Sequence, residues 1–302
     1  MADGLDPCRI CGGVTTEVGR KRSAYSGRDY RIGRCQECSF AFVCNPWLDY
    51  GVIYGDDYYR GRGADPLVNY VYEANHTDLT IRQYEWRGVW RAVSQLVSVG
   101  DSTRWLDYGC GVGGLVEFLR RQGLGRAFGF EQGWSVARLI ERGIPHFGPD
   151  DLAAHAGTFD VVTAIEVLEH AVDPVEELRR IRALLAPGGV LFLTTGNSSP
   201  YRDRLLDWAY VMPDVHVSFF EPSTLDVALE RAGFDASFPG YGPGWDDIIR
   251  FKVLKSLRRQ HVTWWERVLP WPAISRLIDR RLGVSAQPVG WARVSGAAQP
   301  GT

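Results

Sequence analysis

Between Thr103 and Leu119 an apolar run, Trp-Leu-Asp-Tyr, breaks into Gly109-Cys-Gly111-Val-Gly113 and resumes with apolar residues at helical spacing. The run reads as a buried strand and the 3.6-residue period beyond it as a helix. Glycines between the two let the backbone approach a ligand closely, with the unpaired amides of a helix start just behind. A second strand, Arg126 to Glu131, follows and ends in an acid about twenty residues beyond the turn. A carboxylate at that place can take both hydroxyls of a ribose; its plain alternative is a solvated strand-end charge. Asp107 either borders the same ligand or satisfies turn amides.

The alternation continues. Phe159 to Glu166 reads as a buried strand, followed by Val-Leu-Glu-His170 and a helix from Pro174 to Leu185. Ala-Pro-Gly-Gly189 then turns into a strand over Val190–Thr195. Strands and helices recurring at this spacing specify an α/β fold, a parallel sheet covered on both faces. A helix over Ser223–Ala232 stops at Gly233, and a sixth strand runs from Phe234 to Tyr241.

At these residues the chain resembles the class I S-adenosylmethionine-dependent methyltransferases, over roughly 103–241. Leu-Asp-Tyr-Gly-Cys-Gly-Val-Gly is similar to their first motif, Ile-Glu-Val-Leu-Glu-His to their signature after strand 4, and Leu-Ala-Pro-Gly-Gly to their turn into strand 5. The resemblance implies a Rossmann-like core with a seven-stranded mixed sheet, and S-adenosylmethionine as methyl donor. Asp107, Gly109, Gly111 and Gly113 would border the amino acid part of the donor, Glu131 its ribose, and Asp150, Asp151 and Leu152 its adenine. Glu166 would line the pocket between donor and acceptor. Glu169 and His170 either face that pocket or cap locally, and His170 is kept as an acceptor contact. A dinucleotide-binding dehydrogenase is the competing reading at the level of fold. The last strand of the implied fold pairs with the sixth as a hairpin, and Pro288–Val294 suits it.

Four of six cysteines fall as Cys8-x-x-Cys11 and Cys35-x-x-Cys38. Two such turns complete a tetrahedral thiolate shell for Zn²⁺, with no position left for water or substrate, so the ion's expected role is structural. The stretch Tyr25–Arg34 between the pairs suits a hairpin. Cys44 and Cys110 read as small buried hydrophobes. The chain is thus expected to divide into a zinc-binding ribbon at 1–50, a helical connector at 51–100, the donor-binding core at 101–245, a helical insertion at 246–284, and the last core strand with a frayed tail at 285–302. Within the connector, one or two helices are expected over 72–99, and Tyr58 and Tyr59 stand where an acceptor could sit or where domains pack.

The formal net charge is −2, which excludes an overall field drawing the chain to nucleic acid or anionic lipid, so any such attraction must be local. The first thirty residues hold no continuous apolar segment and nothing later has the length of a membrane span, so a cytoplasmic protein is expected. Within residues 250–281, nine Lys or Arg accompany two acids and Trp264, Trp265 and Trp271. This reads as two helices broken near Pro270 and Pro272. They form a lid with a solvated basic face, a clamp for a phosphorylated acceptor, or a peripheral membrane contact.

A sulfonium donor is already electrophilic, so the protein must align donor and acceptor, and deprotonate an acceptor that is a poor nucleophile. His216 is the candidate base, since an unperturbed imidazole accepts a proton near neutral pH; packing is its plain alternative. The combination resembles sugar- and polysaccharide-tailoring enzymes, and the zinc-containing deoxysugar C-methyltransferases in part. Their Glu-His-x-x-Tyr-Phe segment meets Val215-His216-Val-Ser-Phe219-Phe220, with the acid and the tyrosine replaced. O-methylation of a sugar, glycan or secondary-metabolite hydroxyl therefore leads, and C-methylation of a nucleotide-linked ketosugar is second. A non-catalytic ribbon scaffold that binds RNA or protein is the reading from another class.

Overall fold

The computed structural model describes residues 5–237, 241–282 and 289–294. Residues 238–240 of the expected sixth strand, Pro288 and the tail 295–302 lie outside the described residues. The chain opens with an antiparallel hairpin, β1 (Thr15–Arg22) and β2 (Asp29–Cys35), in register from Thr15 opposite Cys35 to Arg22 opposite Asp29, and β3 (Ala41–Val43) adds to β2. The hairpin starts ten residues before the expected Tyr25, which lies in its turn. Two single-turn helices follow, α1 (Tyr50–Ile53) and α2 (Asp56–Tyr59), then α3 (Tyr70–Asn75) and α4 (Arg82–Val93). The expected helical stretch over 72–99 is thereby split, and Leu96 and Val97 pack on the core from beyond the helix.

The alternation expected from the glycine turn onward is then met: β4 (Trp105–Tyr108), α5 (Gly114–Arg121), β5 (Ala127–Phe130), α6 (Ser135–Glu141), β6 (His146–Phe147), α7 (Pro149–Leu152), β7 (Phe159–Ile165), α8 (Pro174–Leu184) and β8 (Leu185–Thr194). A two-residue β9 (Ser218–Phe219), α9 (Pro222–Arg231) and β10 (Phe234–Ser237) follow. The last elements are α10 (Trp245–Ser256), α11 (Trp264–Arg267), α12 (Trp271–Leu282) and β11 (Val289–Val294). The main sheet has the order β10-β11-β8-β7-β4-β5-β6. Five of its strands are parallel, and β11 and β10 extend them at one edge as an antiparallel pair, which makes the mixed sheet of seven. The connections run outward in opposite directions from β4 and β7, which opens a crevice at their carboxyl ends.

Strands covered on both faces read as apolar runs, and β4, β7 and β8 are buried accordingly. Leu178, Ile181, Leu225 and Leu229 of α8 and α9 cover one face; Trp86, Val89, Leu115, Leu119 and Ile248 of α4, α5 and α10 cover the other. Each such side chain contributes about 1.5–3 kcal/mol on burial. The insertion forms three helices where two were expected: the chain breaks after Ser256 as well as near Pro270, and Pro272 sits in the first turn of α12, where a missing amide costs nothing. Its α10 crosses α4 closely: a Cβ on Gly88 would stand 2.7 Å from the Gly244 carbonyl. The insertion is therefore packed into the core's outer layer and is not a detached lid.

The ribbon is not self-contained either. β9, from the far side of the core sequence, pairs with β3 as its fourth strand, Ala41 opposite Phe219. Phe40 and Phe42 share one apolar cluster with Phe220 and Leu225, and Thr224 Oγ1 donates to the Cys38 carbonyl at 2.7 Å.

Candidate active site

A cavity of about 980 Å³ opens at the carboxyl ends of the parallel strands. Gly109 and Gly111 form its floor after β4. Gly111 has φ +54°, and its amide donates to Glu131 Oε2 at 2.7 Å while Gln132 N donates to Oε1 at 2.9 Å. The acid thus lies under the glycine turn, at the end of β5. Burial pushes Glu131 up to about 7. Asp107 also lines the cavity, accepts from Thr163 Oγ1 at 2.9 Å, and is raised to about 7 by burial.

Four residues expected at the donor, Gly113, Asp150, Asp151 and Leu152, do not line this cavity. Gly113 caps α5 with φ +80°, and a Cβ there would meet Ile144 at 2.7 Å, so its task is packing. Leu152 is absorbed by the apolar core, which turns Asp150 and Asp151 of the same short helix to solvent. The wall near Glu131 is instead built by Gln132, Gly133 and Trp134.

On the opposite side stands Glu166, just past β7, with φ +55°. A left-handed backbone is costly for a residue with a Cβ and is typical of functional sites. Its Oε1 accepts from Thr194 Oγ1 at 3.0 Å and Lys252 Nζ at 3.2 Å, and its Oε2 from Tyr210 Oη at 2.9 Å. Burial opposes its charge, but Lys252 and Lys255 outweigh burial and hold it below the usual carboxylate range. Glu169 is also buried, 2.5 Å from Tyr210 Oη and 2.8 Å from the donating Thr195 Oγ1. Burial, then the charge of Glu166, raises it to about 8. One phenol thus bridges two carboxyls whose surroundings push them in opposite directions, Glu166 toward the charged form and Glu169 toward the neutral one.

His216 lies beside this bridge, its ring 4.2 Å from that of Tyr210 and 5.0 Å from that of His170. The 2.7 Å contact from Nδ1 to the Tyr210 carbonyl places the ring proton on Nδ1 and leaves Nε2 with a lone pair. Burial, then His170, depresses it to about 3, so the unperturbed value near 6.5 expected from sequence does not hold. His170 Nδ1 stands 2.9 Å from both the Val215 carbonyl and Tyr54 Oη. Glu169, His170 and His216 offer ligand atoms within 4.8 Å of one another, a set able to hold a cation. Tyr58 and Tyr59 reach the cavity although mostly buried in packing: Tyr59 stacks on Trp134 at 4.8 Å and Tyr58 meets Tyr54 edge-on at 4.9 Å.

Sequence reading missed Tyr210, Lys252 and Asp214. Asp214 accepts from Tyr30 Oη at 2.7 Å, from Ser26 Oγ at 2.5 Å and from Ser23 Oγ, all on the ribbon hairpin. Only Lys252 had a visible signal, as one of three lysines in an arginine-rich chain.

The four ribbon cysteines form no disulfide and their sulfurs gather within 4.8 Å, with Cys8 to Cys38 at 3.5 Å and Cys11 to Cys35 at 3.3 Å. Backbone amides of Ile10, Cys11, Gly13, Glu37 and Cys38 point at three of these sulfurs.

Among curated proteins, the ubiquinone biosynthesis O-methyltransferase of Aeromonas salmonicida is 35% identical over 161 residues, covering 46% of this chain and 67% of that protein. The protein of the same name from Psychrobacter arcticus is 36% identical over 148 residues, 43% of this chain and 58% of that one. The chain thus spans between about half and two thirds of the length of these relatives. Among solved structures, an S-adenosylmethionine-dependent methyltransferase from Mesorhizobium loti aligns with 59% of this chain and 96% of its own, at 21% identity and TM-score 0.43. Phosphoethanolamine N-methyltransferase 2 of Haemonchus contortus, in complex with S-adenosyl-L-methionine, aligns with 84% of this chain and 61% of its own, at 14% identity and TM-score 0.48. Residues 80–236, just over half of the chain, match the sequence profile of the methyltransferase domain, and the protein belongs to that family as a class I S-adenosylmethionine-dependent methyltransferase.

Proposed function

We propose that the protein methylates a hydroxyl on a small ring-bearing acceptor, with His216 taking the hydroxyl proton. The observation that carries this reading is the anchored imidazole: Nδ1 is held by the Tyr210 carbonyl, Nε2 is unencumbered by it, and the ring lines the cavity. S-adenosylmethionine supplies an electrophilic methyl group on a sulfonium. Glu131 would hold the donor's ribose and the backbone of Gly109 to Gly111 its amino acid end, which leaves the methyl directed away from the glycine turn. The acceptor side, lined by Tyr54, Tyr58, Tyr70, Trp134, Trp208 and Tyr210, offers faces on which a ring can lie. Burial keeps His216 neutral, so Nε2 can accept the hydroxyl proton as the oxygen bonds to the methyl and its O–H becomes acidic.

The names of the curated relatives support a hydroxyl acceptor. A sugar or glycan hydroxyl stays within the proposal, as does a phenol. The four cysteines suit Zn²⁺: tetrahedral Zn–S bonds of ~2.3 Å set sulfurs about 3.8 Å apart, near the spacings present. That ion would be structural, tying Cys8 and Cys11 to the hairpin that holds Asp214.

Labelled methyl transfer to panels of phenols, sugars and glycans, with mass-spectrometric location of the new methyl, tests the reading. Methyl on oxygen, lost in His216→Ala while S-adenosylhomocysteine still binds, is the expected result. Methyl on carbon or nitrogen, or unchanged turnover in His216→Ala, overturns it.

A further inference from the structure

The insertion carries a surface that the active site does not use. Its inner side is packed: Trp265, Val262 and Ile274 lie against Leu254, Phe251 and Trp271, and Glu266 is buried under Tyr84 Oη and the Thr263 amide. Its outer side is different. Trp264 is 79% exposed and Val268 73%, and with the exposed Arg267 they occupy positions i, i+4 and i+3 of one helical turn. Along α12 the exposed stripe reads Ala273, Arg276, Leu277 and Arg280, while Trp271 and Ser275 face inward. Leu257, Arg258 and Arg259 are exposed at the end of α10.

Exposed large apolar residues are ordinary singly, but here five of them alternate with five exposed arginines between residues 257 and 280. Of the two acids in that span, Glu266 is buried and Asp279 half-buried. The face is therefore cationic and apolar together, with a tryptophan foremost. Arginines interleaved with single apolar side chains suit a partner with dispersed negative charge over an apolar interior, and an indole settles at such a boundary.

We infer that the outer face of 257–280 docks the protein on an anionic lipid bilayer. Trp264, Val268 and Leu277 enter the headgroup region, and Arg258, Arg259, Arg267, Arg276 and Arg280 lie among lipid phosphates. No described helix is long and apolar enough to cross a membrane, so the contact is peripheral. Lys255 lines the active-site cavity, and Leu257 to Arg259 follow it on the surface. Docking at this face sets the cavity beside the lipid headgroups.

The test is co-sedimentation of the full chain with phosphatidylcholine vesicles, with and without phosphatidylglycerol, at low and high salt. Binding to the anionic vesicles, weakened by salt and accompanied by a blue shift of tryptophan emission, is expected. Trp264→Ser combined with Val268→Ser should weaken that binding at least tenfold, and Arg258→Gln combined with Arg267→Gln should flatten its salt dependence. Both variants should bind S-adenosylhomocysteine as the parent does, which excludes loss of fold. The inference is overturned by absence of binding to anionic vesicles, by parental binding in the double serine variant, or by equal binding to neutral vesicles. It is also overturned if the patch instead drives self-association, seen as a dimer by sedimentation velocity that the serine variant abolishes without lipid.

Discussion

Tyr30, on a strand of the ribbon, donates a 2.7 Å hydrogen bond to Asp214, two residues ahead of His216. Ser23 and Ser26 of the same hairpin reach the same carboxylate, and Val43 N donates to the Val217 carbonyl at 2.9 Å on the other side of His216. The segment that carries the candidate base is therefore held from both flanks by an element far away in sequence.

Removing one of those donors should loosen the base without touching the donor site. In Tyr30→Phe a buried carboxylate loses a partner, which costs about 1–3 kcal/mol. Turnover should fall while the heat of S-adenosylhomocysteine binding is retained. A variant with parental melting temperature and parental turnover would show that the ribbon has no hold on His216.

The cysteine cluster makes a related prediction. Purified protein should carry one zinc per chain by elemental mass spectrometry, and Cys38→Ser should lose it. Because Phe40 and Phe42 of the ribbon share a core cluster with Phe220 and Leu225, the loss should spread into the catalytic unit. Each kcal/mol lost shifts melting of a chain this size by roughly 2–4 °C, so a drop of several degrees is expected. Full stability in the metal-free variant would refute a structural role for the ion.

How far the sequence reached depends on the range of each interaction. The glycine turn, Glu131 and the alternation of strand and helix are local patterns, and Asp107, Gly109, Gly111, Glu131, Glu166 and His216 do line one cavity. Asp150, Asp151 and Leu152 fall away from the cavity because spacing alone cannot say which face of a single-turn helix the core will claim. Tyr210 and Asp214 escaped notice because their partners, Glu166 and Tyr30, lie 44 and 184 residues away. The depressed basicity of His216 was likewise invisible, since burial is a property of the assembled fold.

Lys252 and Glu166 form an ion pair between the insertion and the end of β7, with side chains 23% and 22% exposed. Lys252→Met leaves the carboxylate facing an apolar group with Lys255 alone to offset its burial; the pair is only partly buried, so the loss should be about 1–3 kcal/mol, below that of a fully buried pair. Removing the charge as well, in Lys252→Met with Glu166→Gln, should restore most of that loss. Chemical denaturation of the two variants measures both steps. Additive losses, with no recovery in the double variant, would mean that the pair is not coupled.

With Glu131 holding the donor's ribose as proposed, donor binding should depend on pH. Burial lifts Glu131 to about 7, from an ordinary value of 4.5, and Asp107 to about 7 from 3.8. Both hold protons in the folded state that the unfolded chain has already released. Their contribution to stability is therefore full below about pH 4 and is lost as the pH rises through 7, so the donor-free protein should weaken across that window. Donor binding runs the other way. A ribose donates two hydroxyl protons and favours the carboxylate, so affinity for S-adenosylhomocysteine should rise with pH, roughly tenfold between pH 6 and pH 8 if Glu131 alone governs it. Calorimetry at those two values checks the slope. In Glu131→Gln the affinity should be lower and nearly independent of pH; a slope as steep as the parent's would assign the titration to another group, Asp107 being the next in reach.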